Sequence, residues 1–165
     1  MCGIAGFMLR DGQRPDPDQL ARMAAQLVHR GPDDQGIHCN GSVGLAQTRL
    51  SIIGLATGHQ PMVSADGRLA LAANGEVYNY IELNADLRAR GLTPRTDSDS
   101  ETILLSYAAH GLDFLHQLRG MYAFALHDAQ SGRLILGRDR LGIKPLFYVR
   151  LPDRIAFASE IKALL

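Results

Sequence analysis

The sequence predicts an α+β fold, a layered sandwich of antiparallel strands and amphipathic helices. Three observations predict it. Short apolar runs end at turn dipeptides, as hairpin strands do. Segments with helical apolar spacing and capping residues lie between those runs. The 165 residues, 46% of them apolar, are enough for one sizeable core, so residues 1–165 read as a single domain.

The first run, Cys2 to Leu9, is nearly all apolar and reaches Asp11-Gly12, which predicts a buried strand. Asp16 followed by Pro17 is a cap and first-turn pair. Leu20, Met23, Ala24, Leu27 and Val28 then share one helical face. Val63 and Leu69–Ala73 flank Asp66-Gly67, a hairpin signal. Leu83 and Leu87 support a helix that stops at Gly91. Ser98-Asp99-Ser100-Glu101 has the capping-box pattern, with Leu104, Tyr107 and Ala108 behind it and Gly111 to end the helix. Met121–His127 and Arg133–Gly137 flank Ser131-Gly132, a second hairpin. Leu141 to Pro145 reads as a turn into a strand over Pro145–Tyr148, and a last helix is expected from about Ser159.

Composition narrows the function. Basic and acidic residues balance at 17 each, so neither nucleic acid nor an anionic membrane is an expected partner. Two cysteines, Cys2 and Cys39, are too few for a disulfide scaffold and suit a reducing cytosol; Cys39 reads as structural. The N-terminal MCGIAGFML is short and lacks a basic flank, so it reads as neither a signal peptide nor a membrane span. The 6 histidines show no metal spacing, and there is no CxxC. No metal site is expected, and no phosphate-binding Gly-Lys loop of the right length exists.

Cys2 carries the chemical signal. Removal of Met1 is plausible because the next side chain is small. It would leave a thiol and a free α-amine on one residue. An α-amine has a reference pKa of about 7.7–8.0, so it can accept the thiol proton near neutral pH, and thiolate is the nucleophilic form. A small strand residue is the plainer reading of a cysteine in this place.

The surrounding blocks favour the chemical reading. MCGIAGF, HRGPDDQG (29–36), RLSIIG (49–54), QPM (60–62), NGEVYNY (74–80), SDSE (98–101), GMYAFALHD (120–128), GRDRLGIKPLFY (137–148) and FASEIKAL (157–164) follow one another in order. In these blocks the chain resembles the class II glutamine amidotransferase domain, an N-terminal-nucleophile hydrolase. It is most similar to the glutaminase domain of the asparagine synthetase branch. The resemblance covers essentially the whole chain. It implies a four-layer αββα sandwich and hydrolysis of the glutamine side-chain amide to glutamate and ammonia.

It also implies roles. Thiolate attack puts negative charge on the amide oxygen, and donors aimed there lower the barrier. Asn74 and Gly75 match the family's oxyanion hole; an Asn-Gly turn ending a strand is the alternative. Arg49 matches the residue that holds the substrate carboxylate, where a guanidinium binds bidentately. Asp99, with Glu76 nearby, matches the acceptor for the substrate ammonium; a role at the helix N-terminus competes for Asp99. Ile52 and Ile53 are expected to line the pocket, though two adjacent β-branched residues read equally well as core strand. Arg30 and Asp33 are expected to brace the Cys2 loop, with a local ion pair in a solvated loop as the alternative, and His29 reads as structural.

A domain of this class feeds ammonia to a synthetase, in cis or in trans. In the resembled family that partner is an ATP-pyrophosphatase-type domain, which is where ATP and magnesium are expected; the glutaminase step needs no cofactor. Nothing in these residues resembles such a partner. The resemblance leaves room for a homodimer.

Overall fold

The computed structural model describes residues 1–51 and 57–165. Two antiparallel sheets stack face to face. The first has the order β2 (Asp34–Asn40), β3 (Val43–Arg49), β1 (Gly3–Leu9), β9 (Arg154–Ala158), β8 (Phe147–Arg150). The second has the order β4 (Met62–Val63), β5 (Leu69–Val77), β6 (Gly120–Asp128), β7 (Arg133–Arg138).

Three apolar clusters make four layers. Helix α1 (Pro17–Ala25) lays Leu20, Met23 and Ala24 on the outer face of the first sheet, against Ala5, Phe7, Ala46 and Ala158. Ile4, Val43, Leu45, Ala70, Ala72, Ala123, Ala125 and Phe157 fill the space between the sheets. Helices α2 (Tyr80–Ala89) and α3 (Asp99–His110) cover the outer face of the second sheet, where Ile103, Leu104 and Tyr107 meet Leu71, Phe124 and Leu126. Period-2 alternation along β6 explains the split: Ala123 and Ala125 face the other sheet, Phe124 and Leu126 face the helices. Tyr107 Oη donates to Asp128 at 3.0 Å and fastens α3 to the end of β6.

Local chemistry overrides several sequence expectations. Helix α1 ends at Ala25, and a 3₁₀ turn over Val28–Arg30 follows, leaving Val28 exposed rather than on the apolar face. Gly31, pushed out of the helical region by Pro32, sits at φ −152°, ψ 86° and ends that turn. Ser98 caps α3 through Ser100 N (3.3 Å), but Glu101 does not close a capping box. Its carboxylate instead accepts the N–H groups of Arg95 and Thr96 at 2.7–3.1 Å, satisfying the loop before the helix. Strand β8 starts at Phe147, not Pro145: Arg138 donates to the carbonyls of Gly142 (2.6 Å) and Lys144 (2.7 Å), which holds that stretch as a loop. The last helix is absent as well. Glu160 is extended (φ −139°, ψ 143°), and only a 3₁₀ turn over Ile161–Ala163 follows. Cys39 is exposed on the edge strand β2, outside the core.

No helix among the described residues is long and apolar enough to cross a membrane.

Candidate active site

Cys2 stands just before β1, the middle strand of the first sheet. Its half-buried Sγ lies between the peptide groups of Leu50, 3.4 Å from the N–H and 3.6 Å from the carbonyl oxygen. Gly3 pairs with Thr48, so the end of β3 is carried alongside Cys2. Arg49, buried to 4% exposure, closes that strand. Gly31 lets the preceding loop lie on Arg49: a Cβ there would come within 2.5 Å of the Arg49 backbone. The close approach brings Arg30 to the start of β1, and Arg30 Nε donates to the Cys2 carbonyl at 3.0 Å.

The second sheet supplies the facing wall. Asn74 and Gly75 sit inside β5, paired with Ala123 and Tyr122 of β6, so this Asn-Gly is not a turn. Gly75 has φ +151°, and a Cβ there would lie 2.1 Å from the Met121 carbonyl oxygen, so only glycine fits. Asn74 is 1% exposed, and its buried Nδ2 has no hydrogen-bond partner among the described residues. Asp99, the first residue of α3, reaches back to β5 and accepts Val77 N–H at 2.7 Å. Burial holds its carboxyl above the ordinary range; N–H groups of Val77 and Ser100 oppose the shift, and the nearby Glu76 charge adds to it.

One cavity of about 70 Å³ gathers Cys2, Arg49, Asn74, Gly75, Glu76 and Asp99, with Leu50, Gln60, Ser98, Ser100, Lys144 and Met1 completing the wall. It is small beside the roughly 300–1,000 Å³ of ligand pockets, and Met1 is part of what narrows it. Four larger hollows, of about 480, 620, 260 and 330 Å³, lie elsewhere among the described residues, and none of them is lined by a cysteine. The chemistry therefore assembles in the small cavity. Two cations and two carboxylates there suit a zwitterion, and a thiol beside an unengaged amide donor suits acyl transfer. No three of His, Cys, Asp and Glu cluster as a metal would need, among the described residues.

Two expected residues stand outside the cavity. Arg30 touches the Cys2 backbone, and Asp33 accepts Ser51 N–H at 2.8 Å, bracing the chain after Arg49. Ile52 and Ile53 lie outside the described residues. His29 pairs with Glu160 at 2.9 Å. Sequence reasoning missed Gln60, whose Oε1 accepts Ala73 N–H and whose Nε2 donates to Ser100 Oγ, joining β5 to α3 behind the cavity. It also missed Lys144. The carboxylate of Asp139 collects the N–H groups of Leu141, Ile143 and Lys144 at 2.9–3.2 Å, and the loop so formed turns Lys144 Nζ to Met1 Sδ (3.4 Å).

The family profile described as glutamine amidotransferase domain matches residues 1–165. The chain belongs to the glutamine amidotransferase domain family. This amidotransferase domain is 41% identical over 167 residues to asparagine synthetase [glutamine-hydrolyzing] 2 of Bacillus subtilis (strain 168), covering 99% of the chain and 22% of that protein. It is 38% identical over 166 residues to asparagine synthetase [glutamine-hydrolyzing] 3 of Arabidopsis thaliana, covering 99% and 28%. The chain thus spans about a quarter of the length of these relatives and is homologous to that portion of them. In fold it matches glutamine phosphoribosylpyrophosphate amidotransferase from B. subtilis, complexed with ADP and GMP, at a TM-score of 0.82. There the identity is 23%, over 99% of this chain and 43% of the other. The amidotransferase fold of stacked antiparallel sheets between helical layers is shared with that neighbour.

Proposed function

We propose that this amidotransferase domain hydrolyses the side-chain amide of L-glutamine to glutamate and ammonia through a Cys2 thioester. The observation that carries the reading is the buried Nδ2 of Asn74, unengaged among the described residues, in one cavity with the Cys2 thiol. A buried donor without a partner is costly, and a site that must receive a transient oxyanion gives it a use.

With Met1 removed, the α-amine of Cys2 takes the thiol proton. The thiolate adds to the carboxamide carbon, and the carbonyl oxygen becomes an oxyanion facing Asn74 Nδ2–H and Gly75 N–H. The amine's proton passes to the leaving nitrogen, the C–N bond breaks, and ammonia departs. Water, deprotonated by the same amine, then cleaves the thioester to glutamate and restores the thiol. Arg49 holds the substrate carboxylate, and Asp99 with Glu76 holds its ammonium. Arg30 and Asp33 fix the strands on either side of the thiol.

The ammonia goes to an ATP-dependent partner of asparagine-synthetase type, in cis or in trans, as the names of the relatives suggest. ATP and magnesium belong to that partner. A reducing cytosol suits two free thiols, one of them the nucleophile.

Intact mass and glutamate release test the proposal together. Active protein should begin at Cys2, and Cys2→Ala should release no glutamate while keeping its fold. Active protein that retains Met1, or an active Cys2→Ala variant, overturns it.

A further inference from the structure

We propose that Glu160 is a positioning residue for Cys2, acting through Arg30. One carboxylate oxygen of Glu160 accepts Arg30 Nη1–H at 2.9 Å, and Arg30 Nε–H in turn holds the Cys2 carbonyl at 3.0 Å. The inference rests on Cys2 being the nucleophile.

Strand β9 secures β1 only as far as Ile4. Ser159 N–H donates to the Ile4 carbonyl at 2.8 Å, and Ile4 N–H donates to Ser159 Oγ at 3.0 Å. Cys2 lies beyond that clamp. Once Met1 is gone, Cys2 has no peptide before it, and rotation about its Cα–C bond swings thiol and amine together. Anchoring the carbonyl fixes the Cys2–Gly3 peptide plane, and with it the position of Cα and the axis of that rotation; the contacts of Sγ with the Leu50 peptide groups then set its angle.

Arg30 cannot do this alone. Its side chain is 9% exposed and Nη2 is buried with no partner among the described residues, so the guanidinium needs a counter-charge to stay. Glu160 supplies it. Arg30, and after it His29 and Lys162, hold the Glu160 carboxyl down to about 2 against the opposing effect of burial, so it is ionised at any working pH. The backbone agrees: the segment expected to begin a helix is extended at Glu160, which turns this carboxylate toward Arg30.

The test uses the full processed chain with Cys39→Ser, since Cys39 is the other free thiol. Glutamate release, the alkylation rate of Cys2 by iodoacetamide across pH, and the thermal midpoint are measured for Glu160→Gln, Arg30→Met and the pair. Glu160→Gln should lower kcat by on the order of ten- to a hundredfold, with KM within about twofold. Its alkylation–pH profile should shift, with the thermal midpoint little changed. The double variant should be no slower than Arg30→Met, because the two residues act in series. Should Glu160→Gln fail to fold, Glu160→Asp, one methylene short of Arg30, should show the same kinetic loss. Wild-type kcat in these variants, losses that multiply, or losses that track the thermal midpoint overturn the inference. A wild type that releases no glutamate while Glu160→Gln still shifts Cys2 alkylation would sink the proposed function and leave the positioning role standing.

Discussion

Replacing Asn74 by alanine deletes an amide donor, Nδ2, that makes no hydrogen bond among the described residues. With no such bond to lose from Nδ2 in the ground state, a desolvated group that costs about 1–3 kcal/mol disappears. The neighbours Ala72, Ala123 and Ala125 already form an alanine-lined sheet interface, which receives one more alanine with a small residual cavity. The two effects oppose each other, and the thermal midpoint should move by only a few degrees, about what 1 kcal/mol gives in a domain of this size. Turnover should fall much further. One lost oxyanion donor costs about 2.7–4 kcal/mol, which at 1.36 kcal/mol per decade is a 10²- to 10³-fold drop in kcat. The Michaelis constant should change little, because the donor matters most once negative charge has formed. Steady-state glutamate release over a range of glutamine concentrations, read beside calorimetry, measures all three quantities. An unchanged kcat, or a raised KM at unchanged kcat, refutes the oxyanion assignment.

Other perturbations separate binding, fold and protonation. Arg49→Lys keeps the charge and loses the planar fork, so KM for glutamine should rise at least tenfold, on the order of one bidentate hydrogen bond, with kcat nearly kept; a kcat effect at constant KM would move Arg49 out of the binding role. Gly75→Ala places a methyl against the Met121 carbonyl at a backbone angle that only glycine favours, and should destabilise the domain by about 1–3 kcal/mol or more; an unchanged denaturation midpoint counts against that geometry. His38 and His127 face each other from the inner sides of the two sheets, each with a buried ring nitrogen that lacks a partner among the described residues. Burial lowers the pKa of both, and for His127 the neighbouring His38 lowers it further. The folded state therefore binds fewer protons than the unfolded chain, whose histidines titrate near 6.5, and stability should decline as pH falls below about 6.5. Urea midpoints at pH 7.5 and 5.5 should show the decline in wild type and a smaller one in His38→Gln; equal slopes would exonerate the pair.

What was legible in the sequence was local. β1, the two hairpins, α1 and α3 announce themselves through Asp-Gly, Ser-Gly and Asp-Pro pairs and apolar spacing, all of which act within a few residues. β2 and β3 do not. β3 is buried along its whole length yet ends in Gln47, Thr48 and Arg49, polar residues whose burial is meaningful only once Cys2 and β5 lie against them. The cavity residues Cys2, Arg49, Asn74, Gly75, Glu76 and Asp99 were found through the resemblance, not through spacing, since four separate elements bring them together. Gln60, Lys144 and Glu160 escaped because their partners lie on distant parts of the chain: Ala73 and Ser100, Met1, and Arg30. Glu160 in particular looked like ordinary helix sequence, and the partner of its carboxylate lies 130 residues away in the chain.

In the first sheet, strands β1 and β9 are neighbours and run in opposite directions, so the segment that leaves β9 emerges beside the residue that starts β1. Such adjacency invites circular permutation in many folds, where a short linker closes the gap and new ends are opened in a loop. Here the joint itself would be the lesion. A linker fused to Cys2 turns its amine into an amide, which has no lone pair to offer a proton. Under the proposed chemistry, a permutant opened at the exposed Asp66-Gly67 turn would keep its layers and lose its reaction, and so would any protein whose tag or fusion partner is attached ahead of Cys2 without a cleavage that ends on it.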